Sequence, residues 1–336
     1  MAGLIRGRRA RRPAFVLFAG ALAFGSPVLS SSCADKPHVM FARDDAAGTL
    51  AVLVGGREAF VFRYGPEVDI PHYWPLRSPN GRNMLVQKTE PYPHHRSFWF
   101  ADTVRPEAGE RDLSFYNALY SGTKTEAGDY AAPFRERIRL VSFPTVAARN
   151  GRAEIVAELS WDSDGRPVIA EKRRLVVRSL GSGEYLLDLT WTLTASNGDV
   201  RFVSDDVHYA WPFLRLDPVW SGEHGGRITS DTGAAGQEAT NMKPALWIDY
   251  SNAVDGITEG IAVFQFPDGR EHRWLTREYG CFGPRRPDDL SGKPFTLKKD
   301  ESLTQRVGVL VHSGDVASGR VRERYEKYVK GAVRNP

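Results

Sequence analysis

Adjacent His94 and His95, followed by Arg96 and the aromatic run Phe98, Trp99 and Phe100, bring proton transfer, anion binding and a stacking surface close together. An imidazole can take and give protons near neutral pH, and a guanidinium can grip a carboxylate or a cluster of hydroxyls. That combination suits a polar ligand such as a sugar, with Trp74 and Trp99 as candidate stacking surfaces. Prolines at 71, 75, 79, 91 and 93 keep the surrounding segment from being a regular helix or a central strand. On an extended backbone neighbouring side chains point opposite ways. One of the two histidines is therefore expected to face a cavity while the other supports the core, with Arg96 returning to the face of His94.

Three further clusters carry chemistry. Asp205-Asp206-Val207-His208-Tyr209-Ala210-Trp211 joins carboxylates, an imidazole and a phenol, and His208 and Tyr209 are candidate acid-base groups alongside His94 and His95. Glu223-His224-Gly225-Gly226-Arg227 is a polar turn whose glycines allow close ligand approach, and Glu238 adds a carboxylate. Arg96, Trp74, Trp99, Glu223, His224 and Glu238 are the expected substrate contacts. Histidines 94, 95, 208 and 224 could jointly hold a divalent metal, but the spacing lacks a His-x-His or His-x3-His pair, so no metal site is assigned. The chain has no phosphate-cradling glycine loop before a helix and no Gly-x-Ser-x-Gly nucleophile elbow.

The elements that must position these groups are strands. From Glu184 to Thr194, Tyr185, Leu187, Leu189, Trp191 and Leu193 share one face, while Asp188, Thr190, Thr192 and Thr194 occupy the other. Runs at 135–146, 153–161 and 167–178 behave alike, and Asn150-Gly151, Asp164-Gly165 and Gly181-Ser182-Gly183 punctuate them as hairpins. Further strands are expected at 201–214, 245–250, 260–266, 295–297 and 303–311. Helical spacing occurs only at 316–329, where Val321, Tyr325, Tyr328 and Val329 recur every three or four residues, as for a helix packed outside a sheet. The expectation is an all-β fold, a large antiparallel β-sandwich with a C-terminal helix. Its length favours a galactose-mutarotase-like supersandwich over a jelly roll. Residues 35–330 are read as one domain and 331–336 as a tail.

Residues 1–34 read as an export signal: an arginine-rich start, the apolar run 15–24, then small residues. Cys33 after Leu29 and three serines loosely resembles a lipoprotein cleavage site, which would add a lipid anchor, although the leucine stands four positions ahead rather than three. The expected location is the bacterial periplasm or cell surface, with no membrane span once the signal is removed. The formal charge of +4 is inflated by Arg6, Arg8, Arg9, Arg11 and Arg12, so a nucleic-acid partner is not indicated. Cys281 alone survives such processing, which excludes an intramolecular disulfide and a cysteine zinc site.

His72-Tyr73-Trp74-Pro75-Leu76, Ser78-Pro79-Asn80-Gly81 and Pro93-His94-His95-Arg96, followed by Phe98-Trp99-Phe100, resemble the bacterial "PmoA-like" proteins of unknown function. In those proteins a Tyr-x-x-Pro-Leu, Pro-x-Gly, His-His-Arg-Gly-Leu-Trp progression recurs. Ser97 stands where glycine is usual, and Phe98 where leucine is. The similarity continues through Gly226-Arg227-Ile228, Trp247-Ile248-Asp249-Tyr250-Ser251, 260–264, Arg277-Glu278-Tyr279-Gly280 and Leu310-Val311-His312-Ser313-Gly314, spanning roughly residues 40 to 330. The resemblance implies a secreted all-β protein often found beside sugar-degrading enzymes. The family name comes from a membrane copper oxygenase subunit, an activity at odds with a chain lacking multiple spans.

The leading expectation is an exported enzyme acting on a carbohydrate by histidine and tyrosine acid-base chemistry, of lyase, epimerase or hydrolase type. β-Elimination or epimerisation suits this equipment better than hydrolysis, which needs two carboxylates flanking the bond. The alternatives are a non-catalytic glycan-binding module stacking sugars on Trp74, Trp99 and Trp211, and a metal-dependent oxidoreductase.

Overall fold

The computed structural model describes residues 38–333 apart from 108, 110 and 204–209. Two eight-stranded sheets dominate it, and every strand pair is antiparallel. The first sheet runs Val39–Asp44, Thr49–Val54, Arg57–Arg63, His72–Leu76, Phe98–Trp99, Phe213–Arg215, Cys281–Pro284 and Trp274–Thr276. The second runs Glu136–Arg149, Arg152–Ser163, Arg166–Gly181, Glu184–Thr194, Ser302–Ser313, Ile257–Gln265, Trp247–Val254 and Arg227–Ser230. A four-stranded sheet adds Phe295–Leu297, Val200–Phe202, Thr103–Pro106 and Leu113–Ser114. Sixteen strands in two sheets exceed the eight of a jelly roll, in keeping with the larger sandwich expected from length.

One apolar core lies between the two sheets. Tyr185, Leu187, Leu189, Trp191 and Leu193 all enter it, as the period of two requires, and meet the other sheet through Phe60 against Tyr185. Tyr250 of the second sheet packs on Phe282 of the first with ring centroids 4.3 Å apart. The opposite face of Glu184–Thr194 is less polar in practice than alternation implies. Leu186 packs with Val321, Tyr325 and Tyr328 of the C-terminal helix Val321–Val333, and Asp188 accepts from Arg306 and the Tyr328 hydroxyl. That helix covers the outside of the second sheet and begins five residues later than its sequence spacing suggested.

A buried crossing fixes the centre of the second sheet. His312 Nε2 donates to the Asp249 carboxylate, 2.7 Å away, although the Ile257–Gln265 strand lies between their own strands. The imidazole passes over Gly260, where a Cβ would sit 2.6 Å from the ring. Only glycine leaves that path open. The sequence motifs around Trp247-x-Asp249 and His312 thus meet, and their meeting is structural: both side chains are fully buried.

The expected strand at 201–214 is replaced by two short ones, Val200–Phe202 in the small sheet and Phe213–Arg215 in the first sheet. A chain that changes sheets cannot be one continuous strand. No helix among the described residues is long and apolar enough to cross a membrane.

Candidate functional site

The first sheet buries one face against the core and uses its other face as the floor of a cleft. Register sets this up: Trp99 pairs with Phe213, Arg215 with Cys281 and Leu275 with Gly283, so these residues lie on one face. Phe98, Leu214 and Phe282 lie on the other, where Tyr73 and Tyr250 cover Phe98 and Phe282. Phe213, Leu275 and Cys281 floor a cavity of about 370 Å³ whose walls are Tyr92, His94, His95, Tyr116, Asn117, Arg277 and Tyr279.

The histidine wall is a series of turns, in which the Tyr92 amide donates to Thr89 and the His95 amide donates to Tyr92. Because this backbone is not extended, both imidazoles face the cavity, with ring centroids 4.7 Å apart. His95 is held between rings: Tyr92 stacks on it at 4.8 Å, Trp99 lies at 5.4 Å, and its Nε2 bonds the Tyr116 hydroxyl at 3.1 Å. His94 bonds the Tyr120 hydroxyl through Nδ1 at 3.1 Å, and its Nε2 makes no hydrogen bond to the described protein. Burial, reinforced by His94, Arg215 and Arg96, pushes His95 down to about 3. Burial, then Arg96, pushes His94 down to about 4. Both imidazoles are neutral at pH 7.

The opposite wall is the turn after Trp274–Thr276. The Gly280 amide donates to the Arg277 carbonyl, and Gly280 has φ +88°, a left-handed conformation that glycine takes without strain. The turn lifts Arg277 and Tyr279 to the rim. Tyr279 lies over the Arg215 guanidinium at 4.4 Å and its carbonyl accepts from Arg215 Nη1. Burial raises the Tyr279 hydroxyl and pushes the Cys281 thiol up to about 12, so both stay protonated. Among the described residues no aspartate or glutamate lines the cavity.

Other expected contacts lie elsewhere. Arg96 is buried on Asp69 at 2.7 Å, with both side chains 3% exposed, which anchors the histidine segment and does not offer its charge to a ligand. Trp99 is 1% exposed, stacked on Phe213 at 4.6 Å beneath His95, so it supports the floor. Trp74 is half-buried under the Arg63 guanidinium, and Trp211 is buried against Phe100. Glu223, His224 and Glu238 are exposed and outside the cavity lining. Their segments brace the Arg277 turn instead, since the Glu223 amide donates to the Glu278 carbonyl and the Gln237 amide to its carboxylate. His208, Tyr209, Cys33 and the export signal lie outside the described residues. Among the described residues no three His, Cys, Asp or Glu side chains gather as a metal-ligand set.

Tyr92, Tyr116, Asn117, Tyr120, Arg215, Arg277 and Tyr279 escaped the sequence reading as site residues. Arg277 and Tyr279 stand inside the Arg277-Glu278-Tyr279-Gly280 motif. Tyr116 and Asn117 gave no signal, because only the fold brings them to His95.

Low imidazole pKa values have a consequence for stability. His72, fully buried, is also pushed down to about 4 by burial and then Arg96. In the unfolded chain these three histidines bind protons near pH 6.5, but in the folded chain only near 3 to 4, so stability is lost as pH falls below 6.5. His312 acts in the opposite sense, since Asp249 helps hold it protonated. His72 and His95, the more deeply buried two, each contribute about 2 kcal/mol of loss between pH 7 and pH 5, and the more exposed His94 contributes less, so urea unfolding midpoints should fall clearly over that interval. A His72→Gln variant should flatten the dependence, and an unchanged midpoint from pH 7 to 5 would refute the neutral assignment.

Fold and site together define a large antiparallel β-sandwich with a cleft on the outer face of one sheet, lined among the described residues by histidine, tyrosine and arginine. The chain belongs to a family of unknown function (DUF6807), matched over residues 49–326. That match assigns no activity and does not carry the PmoA-like name. No curated protein matches the chain. Similar solved structures include the GH36 α-galactosidases AgaA (10% identity, TM-score 0.38) and AgaB (10%, 0.40) of Geobacillus stearothermophilus, and heparinase III, the BT4657 gene product (12%, 0.33). Each likeness covers 82% of this chain, and 40%, 41% and 36% of the other respectively. The chain therefore spans about two fifths of their length, and likeness at these scores assigns no activity.

Proposed function

We propose that this protein is an exported carbohydrate-active enzyme that moves a proton at a sugar carbon, as in β-elimination or epimerisation. The observation that carries this reading is a cavity holding two neutral imidazoles, each bonded to a tyrosine hydroxyl, with no carboxylate among the described residues of its lining. Retaining and inverting hydrolysis both need a carboxylate pair, which the described lining lacks. The volume of about 370 Å³ lies in the range of small-ligand sites. The faces of Tyr92, Tyr116 and Tyr279 can stack on a sugar ring.

In an elimination, His94 Nε2 takes the proton from the carbon next to an electron-withdrawing group. The electron pair of that C–H bond forms the new C=C bond, and the glycosidic C–O bond breaks. Tyr116 gives its proton to the leaving oxygen and is reprotonated from solvent. His95, bonded to the Tyr116 hydroxyl, orients it. His208 and Tyr209 remain candidates on sequence grounds, and the export signal supports a periplasmic or surface location. The glycan-binding alternative needs exposed tryptophan faces, whereas Trp99 and Trp211 are buried.

The test incubates the protein lacking residues 1–34 with a panel of neutral and uronate-containing oligosaccharides. New ultraviolet absorbance from an unsaturated product, or deuterium uptake from heavy water at a sugar carbon, is the expected result. Release of saturated reducing ends with neither signal would mean hydrolysis and would overturn the reading.

A further inference from the structure

The buried arginines of this protein divide into two kinds. Arg96 sits on Asp69, Arg173 on Glu171 and Arg286 on Asp102, each pair at 3.0 Å or closer and almost wholly buried. Arg215 is 5% exposed yet has no carboxylate partner among the described residues: Nη1 goes to the Tyr279 carbonyl, the ring of Tyr279 covers the plane, and Nε is buried without a partner. A buried cation without a counter-charge is costly. Arg215 pairs in register with Cys281, which floors the cavity.

Arg277, on the cavity wall, has no carboxylate partner among the described residues either. Its Nη1 donates to Asn241 Oδ1 at 2.7 Å and to the Thr276 carbonyl at 3.1 Å. Those bonds fix the guanidinium and leave Nε and Nη2, the edge that grips a carboxylate with two parallel hydrogen bonds, without an acceptor among the described residues. Asn117 lines the same cavity. Among the described residues, Arg277 in the lining, Arg215 behind it, two neutral imidazoles and no acid in the lining make the cleft electropositive.

Resting on the carbohydrate reading above, we infer that the ligand is a carboxylated sugar, a uronate, whose carboxylate docks on the Nε and Nη2 edge of Arg277. Arg215 lies behind the same wall and adds the second positive charge. This links binding to chemistry. Neutralising a uronate carboxylate makes the proton on the adjacent carbon more acidic, which is the proton that His94 is proposed to take. Burial, then Arg96, already holds His94 neutral and ready before the anion arrives.

Calorimetric titration of the protein with D-glucuronate and D-galacturonate, their disaccharides, and the neutral sugars glucose and galactose tests this. At least one uronate should bind at least about tenfold more tightly than its neutral counterpart, with affinity falling as salt rises. Arg277→Gln should erase that preference while neutral sugars bind as before, and Arg277→Lys should restore only part of it, because an ammonium lacks the fork. Equal binding of acid and neutral sugars, or a preference untouched in Arg277→Gln, would overturn the inference and leave the carbohydrate reading standing. Acetate or succinate binding as tightly as any uronate would sink the carbohydrate reading while the carboxylate clamp held. Absence of binding by every compound in the panel would overturn both. The wild-type comparison of acid with neutral sugar decides the matter even if a variant folds poorly.

Discussion

Replacing His94 with glutamine is expected to lower turnover on a responsive oligosaccharide by about 100-fold or more, the usual contribution of a positioned acid or base. KM should change little, since the carboxylate clamp at Arg277 would still hold the substrate. The unfolding temperature should also change little. His94 is only partly buried and its one hydrogen bond among the described residues is to the partly exposed Tyr120. That combination separates a catalytic base from a structural histidine. His95 gives the contrast, because it stacks on Tyr92 and rests on Trp99, so His95→Ala should lower both turnover and stability. Tyr120→Phe, which removes the hydroxyl orienting His94, should cost a smaller factor, about tenfold. If His94→Gln turns over at the wild-type rate, the proton acceptor lies elsewhere, and His208 is the next position to test.

How much of this was legible in the chain depended on whether a signal was local. Alternation from Tyr185 to Leu193 named the inner face correctly because sheet pleating enforces it residue by residue. The tail's spacing likewise put Val321, Tyr325 and Tyr328 on one buried helical face. His94 and His95 stood out by chemistry, but the direction of each ring depended on whether the backbone was extended or turned, and the turns after Thr89 put both into the cleft. Arg96 looked like an anion-binding residue until its partner was known. That partner, Asp69, is 27 positions away and carried no motif. Arg277 is the reverse case: it looked like part of a turn, and what marks it is the lack of a carboxylate partner among the described residues, a property of the fold rather than of any window of sequence.

Glu171→Ala is expected to be among the most destabilising single changes in the molecule, costing about 3–5 kcal/mol. Glu171 is fully buried and accepts from Arg173 Nε at 2.6 Å and from the Trp161 indole at 2.8 Å. Arg173 in turn donates to the Pro71 carbonyl, tying the second sheet to the start of the segment that carries the histidines. Removing the carboxylate strands a guanidinium 3% exposed between the two sheets. Removing both charges in Glu171→Leu with Arg173→Met should recover most of the loss, because the cost comes from the orphaned ion rather than from the pair. Thermal unfolding of the two single variants and the double variant measures this directly. Arg215 supplies the counter-experiment. It already lies buried without a carboxylate, so Arg215→Met should leave the unfolding temperature unchanged or raise it, while weakening uronate binding. A marked drop in stability for Arg215→Met would show that the charge is compensated within the folded chain, and its surplus would then no longer argue for an anionic ligand.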